Sequence, residues 1–370
     1  MRDRFGAVAG ALDDAIARRA FPGVTIEVGR AGGALWQHAA GTLTYDSDSP
    51  AVALDTIYDL ASLTKVLSTN TLAMRAVDAG RLDLDSPVAA HFAEWRGADR
   101  ESVTVRDLLS HSSGLTAYLP FFRDHTGRIE YQQAICSLPL EYAPRSRSIY
   151  SDLGFILLGF LIEDVHPPSA AFGGAPGTSD PSAGLAIQFR RLATFITPEP
   201  ITFNPPRQWR ERTAPTEVEQ WRGRLLVGEV HDENAWALGG AAGHAGLFGT
   251  AGAVGAFARA TLRTIVGGHV LASPATMAQF ITRRDIPNSS RALGWDTMLP
   301  TSSCGTKLSA SSIGHTGFTG TSLWIDWERD FYVVLLTNRV HPTRENQLIR
   351  EVRPLVHDLV AETVNRPEPS

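Results

Sequence analysis

The chain has 370 residues, of which 43% are hydrophobic and 20% are charged, and its formal net charge is −5 at pH 7. These values are typical of a globular protein and exclude disorder along the whole chain. The mild acidity argues against a protein dedicated to binding nucleic acid. At about 150 residues per domain, the length fits two domains or one large domain with insertions.

The N-terminal part of the chain predicts a helix followed by a hairpin. Residues 7–20 are predicted to form a short amphipathic helix, and Val24–Val28 and Ala34–His38 two strands joined by a glycine-containing turn. From Leu63 the apolar residues recur with a helical period, and this helix is predicted to end at Gly80.

The middle of the chain predicts further helices and one loop or insertion. Three segments are predicted to be helical: 86–92, 104–110 and the strongly apolar, centrally buried 150–165. Residues 166–184 are rich in Pro, Gly, Ser and Ala, which predicts a loop or an insertion. A second Pro-rich and charged stretch covers 197–220, and the small residues of 249–265 predict another helix.

The C-terminal part returns to strands before a last helix. Ser322–Asp326 and Phe331–Thr337 have strand-like sequences on either side of a turn. A helix is expected from about Glu345, bent or started near Pro354, and the tail at 366–370 is expected to fray.

Strands at both ends of the chain and helices between them predict an α/β fold of the α+β type. We expect one antiparallel sheet built from both termini and flanked by helices, with an inserted, mostly helical region. Residues 1–61 and 290–370 are assigned to the sheet domain and residues 62–289 to the helical region. The active site is expected between the two parts.

No membrane segment or cysteine framework is predicted. The longest apolar run, Gly154–Ile162, is too short to span a bilayer, and the N-terminus lacks the apolar core of a secretory signal. The protein is therefore expected to be cytoplasmic, or exported with its signal missing from this sequence. Cys136 and Cys304 are predicted to be free, buried thiols.

The use of basic residues draws attention to one lysine. Of 34 basic residues only Lys65 and Lys307 are lysines, which leaves 32 arginines. A lysine can lose its proton near neutral pH when it is desolvated, whereas an arginine cannot. Ser62 and Lys65 lie three residues apart at the start of a predicted helix, and so on one face of it. A serine at a helix start lies beside free backbone N–H groups. The alternative is a capping serine followed by a surface lysine.

Two further short segments support a catalytic interpretation. Tyr150-Ser151-Asp152 opens the apolar central helix, and His315-Thr316-Gly317 lies in a strand-like segment. Taken singly, the first could merely cap a helix and the second could merely form a strand edge. The scattered histidines give another alternative, since His231 and His244 could bind a metal with Asp232, although structural or surface roles are favoured because their spacing is not that of a ligand set.

These three segments, in this order, resemble the motifs of the serine penicillin-recognising hydrolases. That superfamily comprises serine β-lactamases, D-alanyl-D-alanine peptidases and related carboxylesterases. The tyrosine at position 150 resembles the class C arrangement. The resemblance covers roughly residues 5–362 and includes four longer stretches: Thr104–Leu115, Tyr150–Gly159, Val230–Phe248 and Gly314–Leu323.

The resemblance implies the following roles. Ser62 is the acylated nucleophile, Lys65 its proton partner and Tyr150 the general base or proton relay. The backbone N–H groups of Ser62 and Phe318 form the oxyanion hole. Substrate binding is assigned to Asp152, His315, Thr316 and Gly317, and neither a metal nor an organic cofactor is implied.

Two departures from the family pattern bear on the substrate. His315 stands where many members have lysine, so its attraction for a substrate carboxylate is expected to fall above about pH 6.5. Asp152 stands where asparagine is usual and, when ionised, can donate no hydrogen bond to a substrate amide.

We therefore expect a serine hydrolase that acts on small molecules, with carboxylic esters or D-Ala-D-Ala-type peptides ranked above efficient hydrolysis of β-lactams. The alternative is a catalytically inactive, penicillin-binding-like sensor of cell-wall fragments. A sensor has no need of a nucleophile, a lysine and a tyrosine together.

Overall fold

The structure is a computed structural model that describes residues 4–165 and 181–366. The α-helices of this part are α1 Gly6–Ala17, α2 Thr71–Asp78, α3 Val105–Leu109, α4 Gly127–Ser137, α5 Asp152–Val165, α6 Pro181–Ile196, α7 Glu233–Ala237, α8 Ala251–Ile265, α9 Pro274–Ile281 and α10 Ile349–Asn365. The strands are β1 Gly23–Arg30, β2 Gly33–Gly41, β3 Tyr58–Asp59, β4 Ile201–Phe203, β5 Val218–Glu219, β6 Arg224–Leu225, β7 Leu247–Gly249, β8 Asp296–Thr297, β9 Ile313–Thr316, β10 Ser322–Asp326 and β11 Phe331–Thr337.

A six-stranded antiparallel sheet has the order β2-β1-β11-β10-β9-β8. Its centre joins the two ends of the chain, because Val24 of β1 pairs with Thr337 of β11. The predicted sheet built from both termini is therefore confirmed, as are the N-terminal hairpin and the boundaries of β10 and β11. A three-stranded sheet, β3-β7-β4, and the hairpin β5-β6 lie outside it.

Both faces of the six-stranded sheet are buried. Successive side chains of a strand point to opposite faces, so each face contacts a different core. Val24, Ile26 and Val28 of β1 belong to a core shared with α1 and α10. Side chains of the opposite face, including Leu323 and Leu336, belong to the larger core that contains α5 and α8. The division of the chain at residues 61 and 290 stays a prediction.

Several predicted elements change in extent. The helix expected from Leu63 begins there, but its segment Lys65–Asn70 is π-helical before α2 continues it. The helix expected at 86–92 is only a 3₁₀ turn at Val88–Ala90. The C-terminal helix begins at Ile349, and Pro354 lies inside it.

The predicted loop at 166–184 was wrong at its end, because α6 begins at Pro181; the rest of that stretch lies outside the described residues. The Pro-rich stretch 197–220 contains β4 and a 3₁₀ turn at Arg207–Arg212. Both cysteines are free and buried, as predicted. Within the described ranges, no helix is long and apolar enough to cross a membrane.

The burial of His357 in α10 gives a prediction about stability. Burial and the neighbouring Arg353 lower the pKa of His357 to about 3 from an ordinary 6.5, so below about pH 6.5 the unfolded chain binds a proton that the folded protein does not. We expect this histidine to remove about 1.4 kcal/mol of unfolding free energy per pH unit below that point. Urea unfolding at about pH 7 and about pH 5 should show a shallower loss in His357→Gln than in the wild-type protein. Equal losses in the two proteins would contradict the assignment.

Candidate active site

Ser62 lies at a strained turn between β3 and the helix that follows. Ala61 has a φ of +45°, a left-handed conformation that non-glycine residues rarely adopt. The buried carboxylate of Asp59 holds this turn, because it accepts hydrogen bonds from the backbone N–H groups of Ala61 (2.8 Å) and His231 (2.7 Å). Asp59 therefore fixes where the chain presents Ser62.

Lys65 is fully buried and surrounded by candidate partners. Its Nζ donates hydrogen bonds to Ser62 Oγ at 3.0 Å and to the backbone carbonyl of His244 at 3.1 Å. It also forms an ion pair with Asp152 Oδ1 at 2.6 Å. The surface-lysine alternative is therefore wrong, and the structure brings Asp152, which is distant in sequence, to the Ser62–Lys65 pair.

The charges around Lys65 set the resting protonation states. Burial alone would lower the pKa of Lys65, but the Asp152 carboxylate and the Tyr150 hydroxyl more than offset this, and the pKa is raised. Burial raises the pKa of Tyr150 against the opposing effect of the Lys65 ammonium, and the Asp152 charge adds to the rise. At neutral pH the group therefore consists of an ammonium and a neutral phenol.

Tyr150 is held by the residues around the start of α5. The N–H of Ser151 donates to His111 Nδ1 at 3.0 Å, and the Ser151 hydroxyl donates to the carbonyl of Thr116 at 2.7 Å. The ring of Tyr150 lies 4.7 Å from the ring of His111, centroid to centroid, and the Lys65 Nζ lies 4.8 Å from the centre of the Tyr150 ring. The Tyr150 hydroxyl interacts with Ser62 and Lys65.

The third motif is on β9 and in the turn after it. Gly317 must be glycine, because a Cβ there would lie 2.7 Å from the carbonyl oxygen of Leu60. His315 Nδ1 lies 2.9 Å from the carbonyl of Thr316 and so donates to it, which leaves Nε2 as an unpaired, buried acceptor.

Burial holds the pKa of His315 well below its ordinary value, helped by the nearby charge of Arg291. The expectation that its positive charge is lost only near pH 6.5 is therefore wrong. His315 is already neutral at pH 6.5, so it carries no positive charge that could attract a substrate carboxylate near neutral pH.

The predicted site residues surround one cavity of about 630 Å³. Of the predicted residues, seven line it: Ser62, Tyr150, Asp152, His315, Thr316, Gly317 and Phe318. Lys65 lies behind Ser62. Within the described residues, the backbone N–H groups of Ser62 and Phe318 have no hydrogen-bond partner, which leaves both free to bind a substrate oxygen.

The histidines considered as metal ligands make pairwise contacts with carboxylates. His231 Nε2 lies 2.8 Å from Glu217, and His244 Nε2 lies 2.8 Å from Asp232. Throughout 4–165 and 181–366, no group of three or more His, Cys, Asp or Glu side chains is placed to hold a metal ion.

Sequence reasoning missed four residues of the site. Asp59 and His111 hold the turns that carry Ser62 and Tyr150, and Arg291 and Arg353 line the cavity. His111 lies in one of the family-like stretches, so that stretch was a usable signal. Nothing in the sequence alone singles out two arginines among 32.

Comparisons with known proteins show the family to which the chain belongs. The Beta-lactamase family model matches residues 8–357. A protein of Salmonella agona (strain SL483) described as a "Putative D-alanyl-D-alanine carboxypeptidase" is 31% identical over 307 residues, which cover 78% of this chain and 70% of that protein.

Two solved structures show the same fold. A class C β-lactamase from Rhodobacter sphaeroides matches with a TM-score of 0.71 at 19% identity, over 96% of this chain and 99% of that one. EstCE1, described as a hydrolase with promiscuous acyltransferase activity, matches with a TM-score of 0.69 at 21% identity, over 94% of this chain and 97% of that one. The chain belongs to the β-lactamase family. It is a hydrolase of the β-lactamase fold, and the resemblance and fold class inferred from its sequence are confirmed.

Proposed function

We propose that this protein is a serine hydrolase that works through an acyl-enzyme on Ser62. The observation that carries the proposal is the Ser62 Oγ contact with the buried Lys65 Nζ at 3.0 Å beside one cavity. Ser62 and Phe318 line that cavity, and their backbone N–H groups have no partner within the described residues. A serine hydroxyl is a poor nucleophile until a neighbouring group takes its proton. Lys65 Nζ contacts this hydroxyl directly, and Tyr150 is close enough for Ser62 and Lys65 to affect its pKa.

The resting charges suggest a route for the proton. Lys65 Nζ lies between Ser62 Oγ and Asp152 Oδ1, at 3.0 Å and 2.6 Å. Lys65 therefore passes a proton to Asp152 as it takes one from Ser62, and its own charge does not change. The neutral Tyr150 hydroxyl then protonates the leaving group, and Asp152 returns its proton to Tyr150 through Lys65.

The free N–H groups of Ser62 and Phe318 stabilise the oxyanion while the Ser62 Oγ–carbon bond forms. As the oxyanion collapses, the bond to the leaving group breaks. In the second half of the reaction, Tyr150 passes its proton through Lys65 to Asp152 and takes a proton from the water that attacks the acyl carbon. The Ser62 Oγ–carbon bond then breaks, and Asp152 returns its proton through Lys65 to Ser62, which releases the acid and restores the hydroxyl.

The substrate class that we propose is a carboxylic ester or a D-Ala-D-Ala-type peptide, with β-lactams turned over less efficiently. The carboxypeptidase description of the 31% identical relative supports the peptide. The ester rests on the resemblance of the sequence motifs to those of the related carboxylesterases. Asp152 argues against efficient β-lactam turnover, since its carboxylate lines the cavity and offers only acceptors to an acylamido carbonyl.

Two measurements test the proposal. A fluorophosphonate and a fluorescent penicillin are incubated with the protein, and labelling is located by peptide mass spectrometry. Labelling at Ser62 by at least one probe is expected; labelling by neither favours a sensor that binds without catalysis. Turnover of p-nitrophenyl esters, a chromogenic cephalosporin and a D-alanyl-D-alanine peptide is then compared in parallel to rank the substrate classes.

Asp152→Asn should shift selectivity towards β-lactams. The asparagine amide adds one donor towards an acylamido carbonyl, which a small ester lacks. We expect the ratio of kcat/KM for a penicillin to kcat/KM for p-nitrophenyl acetate to rise about 5- to 30-fold, for a gain of about 1–2 kcal/mol. Because Asp152 also receives the Ser62 proton through Lys65 in the proposed route, both kcat/KM values are expected to fall, and the ratio cancels this common loss.

The matched control is Asp164→Asn, which removes a carboxylate from the same helix, α5, where it pairs with Arg128. It should leave the ratio unchanged. A ratio that stays constant or moves towards esters in Asp152→Asn would show that Asp152 does not face the acylamido group.

A further inference from the structure

Two arginines beside the cavity lack an acidic partner. Arg353 on α10 is only 9% exposed, and neither it nor Arg339 forms an ion pair with any carboxylate in the part of the chain that the structure describes. Burial and the charges of neighbouring arginines lower the pKa of Arg353 to about 9 and that of Arg339 to about 10, so both are charged at neutral pH. Burying a charge without a counter-ion is unfavourable, and these two are compensated by backbone carbonyls instead.

The carbonyls that Arg353 binds, and one of the three that Arg339 binds, belong to the loop 317–321, between β9 and β10. Arg353 Nη2 donates to the carbonyl oxygens of Gly317 (2.7 Å) and Thr321 (2.9 Å). Arg339 Nε donates to the carbonyl oxygen of Phe318 at 2.8 Å. The two guanidinium groups thus bind successive peptide units of the loop.

The Gly317 carbonyl and the Phe318 N–H belong to one planar peptide unit, in which they point in opposite directions. When Arg353 binds the carbonyl oxygen, it fixes the plane and directs the N–H away from itself. The N–H has no partner among the described residues, and Phe318 lines the cavity that contains Ser62. A cation on the carbonyl oxygen also withdraws electron density from the amide, which makes its N–H a stronger donor.

The same loop is tied to the chain that leads to Ser62. The Thr319 hydroxyl donates to the carbonyl of Asp59 at 2.7 Å, and the Thr321 hydroxyl donates to the carbonyl of Leu60 at 3.1 Å. These bonds tie the loop that contains Phe318 to the turn that contains Ser62. Arg353 orients the Gly317–Phe318 peptide together with the N–H of Gly320, which donates to the same carbonyl oxygen at 3.1 Å.

We propose that Arg353 is a positioning residue for the oxyanion hole, which orients and polarises the Gly317–Phe318 peptide by binding its carbonyl oxygen. This inference rests on the proposed function. It assigns Arg353 to transition-state stabilisation without contact to the substrate. Its loss should therefore lower the acylation rate constant and leave ground-state binding largely unchanged.

The test compares Arg353→Gln, Arg353→Lys and the wild-type protein with p-nitrophenyl acetate. We expect the acylation rate constant to fall about 10- to 100-fold in Arg353→Gln, with KM changing much less. Arg353→Lys keeps a charged donor and should recover part of that loss. If Arg353→Gln fails to fold, Arg353→Lys alone tests the inference, because its acylation rate constant is expected to be lower than that of the wild-type protein. Glu351→Gln, which removes an exposed charge of the same helix that pairs with the exposed Arg18 away from the cavity, is expected to stay within about twofold.

A spectroscopic readout separates positioning from a general structural defect. The acyl carbonyl, isotope-edited with ¹³C, absorbs at lower wavenumber when the oxyanion hole binds it. The band should move to higher wavenumber in Arg353→Gln and move less in Arg353→Lys.

A wild-type acylation rate and an unmoved band in a folded variant would overturn the inference and leave the proposed function standing. Absence of labelling at Ser62 in the wild-type protein would instead overturn the proposed function, and the inference with it.

Discussion

Replacing Ser62 by alanine is expected to abolish acyl-enzyme formation on every substrate. The hydroxyl is the group that contacts the Lys65 ammonium at 3.0 Å, and its residue opens the cavity at the strained turn after Ala61. Loss of a nucleophile that works in such a unit lowers kcat by many orders of magnitude, and more than about 10⁴-fold is expected here. The measurement combines ester turnover with fluorophosphonate labelling of the intact protein.

The control for this variant is Ser146→Ala. Ser146 is exposed and close to Tyr150 in sequence, and among the described residues its hydroxyl donates only to the carbonyl of Ala143. It should label and turn over as the wild-type protein does. If Ser62→Ala kept more than about 1% of wild-type kcat, the nucleophile would be a different group.

Replacing Lys65 by arginine is expected to lower kcat/KM by about 10²- to 10⁴-fold. The charge is kept, but a guanidinium cannot pass a proton at neutral pH, and its planar fork does not fit where a single Nζ bridges Ser62 and Asp152. Since Lys65 is fully buried, thermal unfolding is recorded in parallel to separate lost chemistry from lost folding.

The other lysine of the chain supplies a matched control. Lys307 is half-exposed and pairs with Glu362 at 3.1 Å, and Lys307→Arg should keep kcat/KM within about twofold. A folded Lys65→Arg variant with near wild-type activity would show that Lys65 only supplies a positive charge.

The parts of the fold that the sequence predicted are those with strong local patterns. The strands at Ser322–Asp326 and Phe331–Thr337 were predicted at their observed bounds, since β-rich runs flank a clear turn. The short strands β3, β4 and β7 were missed, because two or three residues carry no periodicity. The π-helical segment after Ser62 also has no signature in the side-chain pattern.

The site residues that belong to a short sequence motif could be predicted from the sequence. Ser62, Lys65, Tyr150 and His315 were placed by their neighbours in sequence, and the structure brings them to one cavity or directly behind it. The protonation state of His315 was not predictable, because it depends on burial and on Arg291, which approaches from a different segment. Arg353 was missed for a related reason, since its function depends on carbonyl groups about 30 residues away.

The pairing of β1 with β11 has a consequence for how the protein forms. Val24 pairs with Thr337, so the sheet cannot form completely until the last strands of the chain are available to pair with the first. On the ribosome, β1 and β2 emerge early but lack their central neighbour until nearly the whole chain is synthesised. Contacts so distant in sequence make folding slow, and β1 stays an open edge in the meantime. The surroundings of Lys65 also form late, because the Lys65 ammonium donates a hydrogen bond to the carbonyl of His244, which is far along the chain. A truncated chain that ended before β11 would therefore contain the proposed nucleophile, but not the complete sheet that holds Phe318, the second residue of the proposed oxyanion hole.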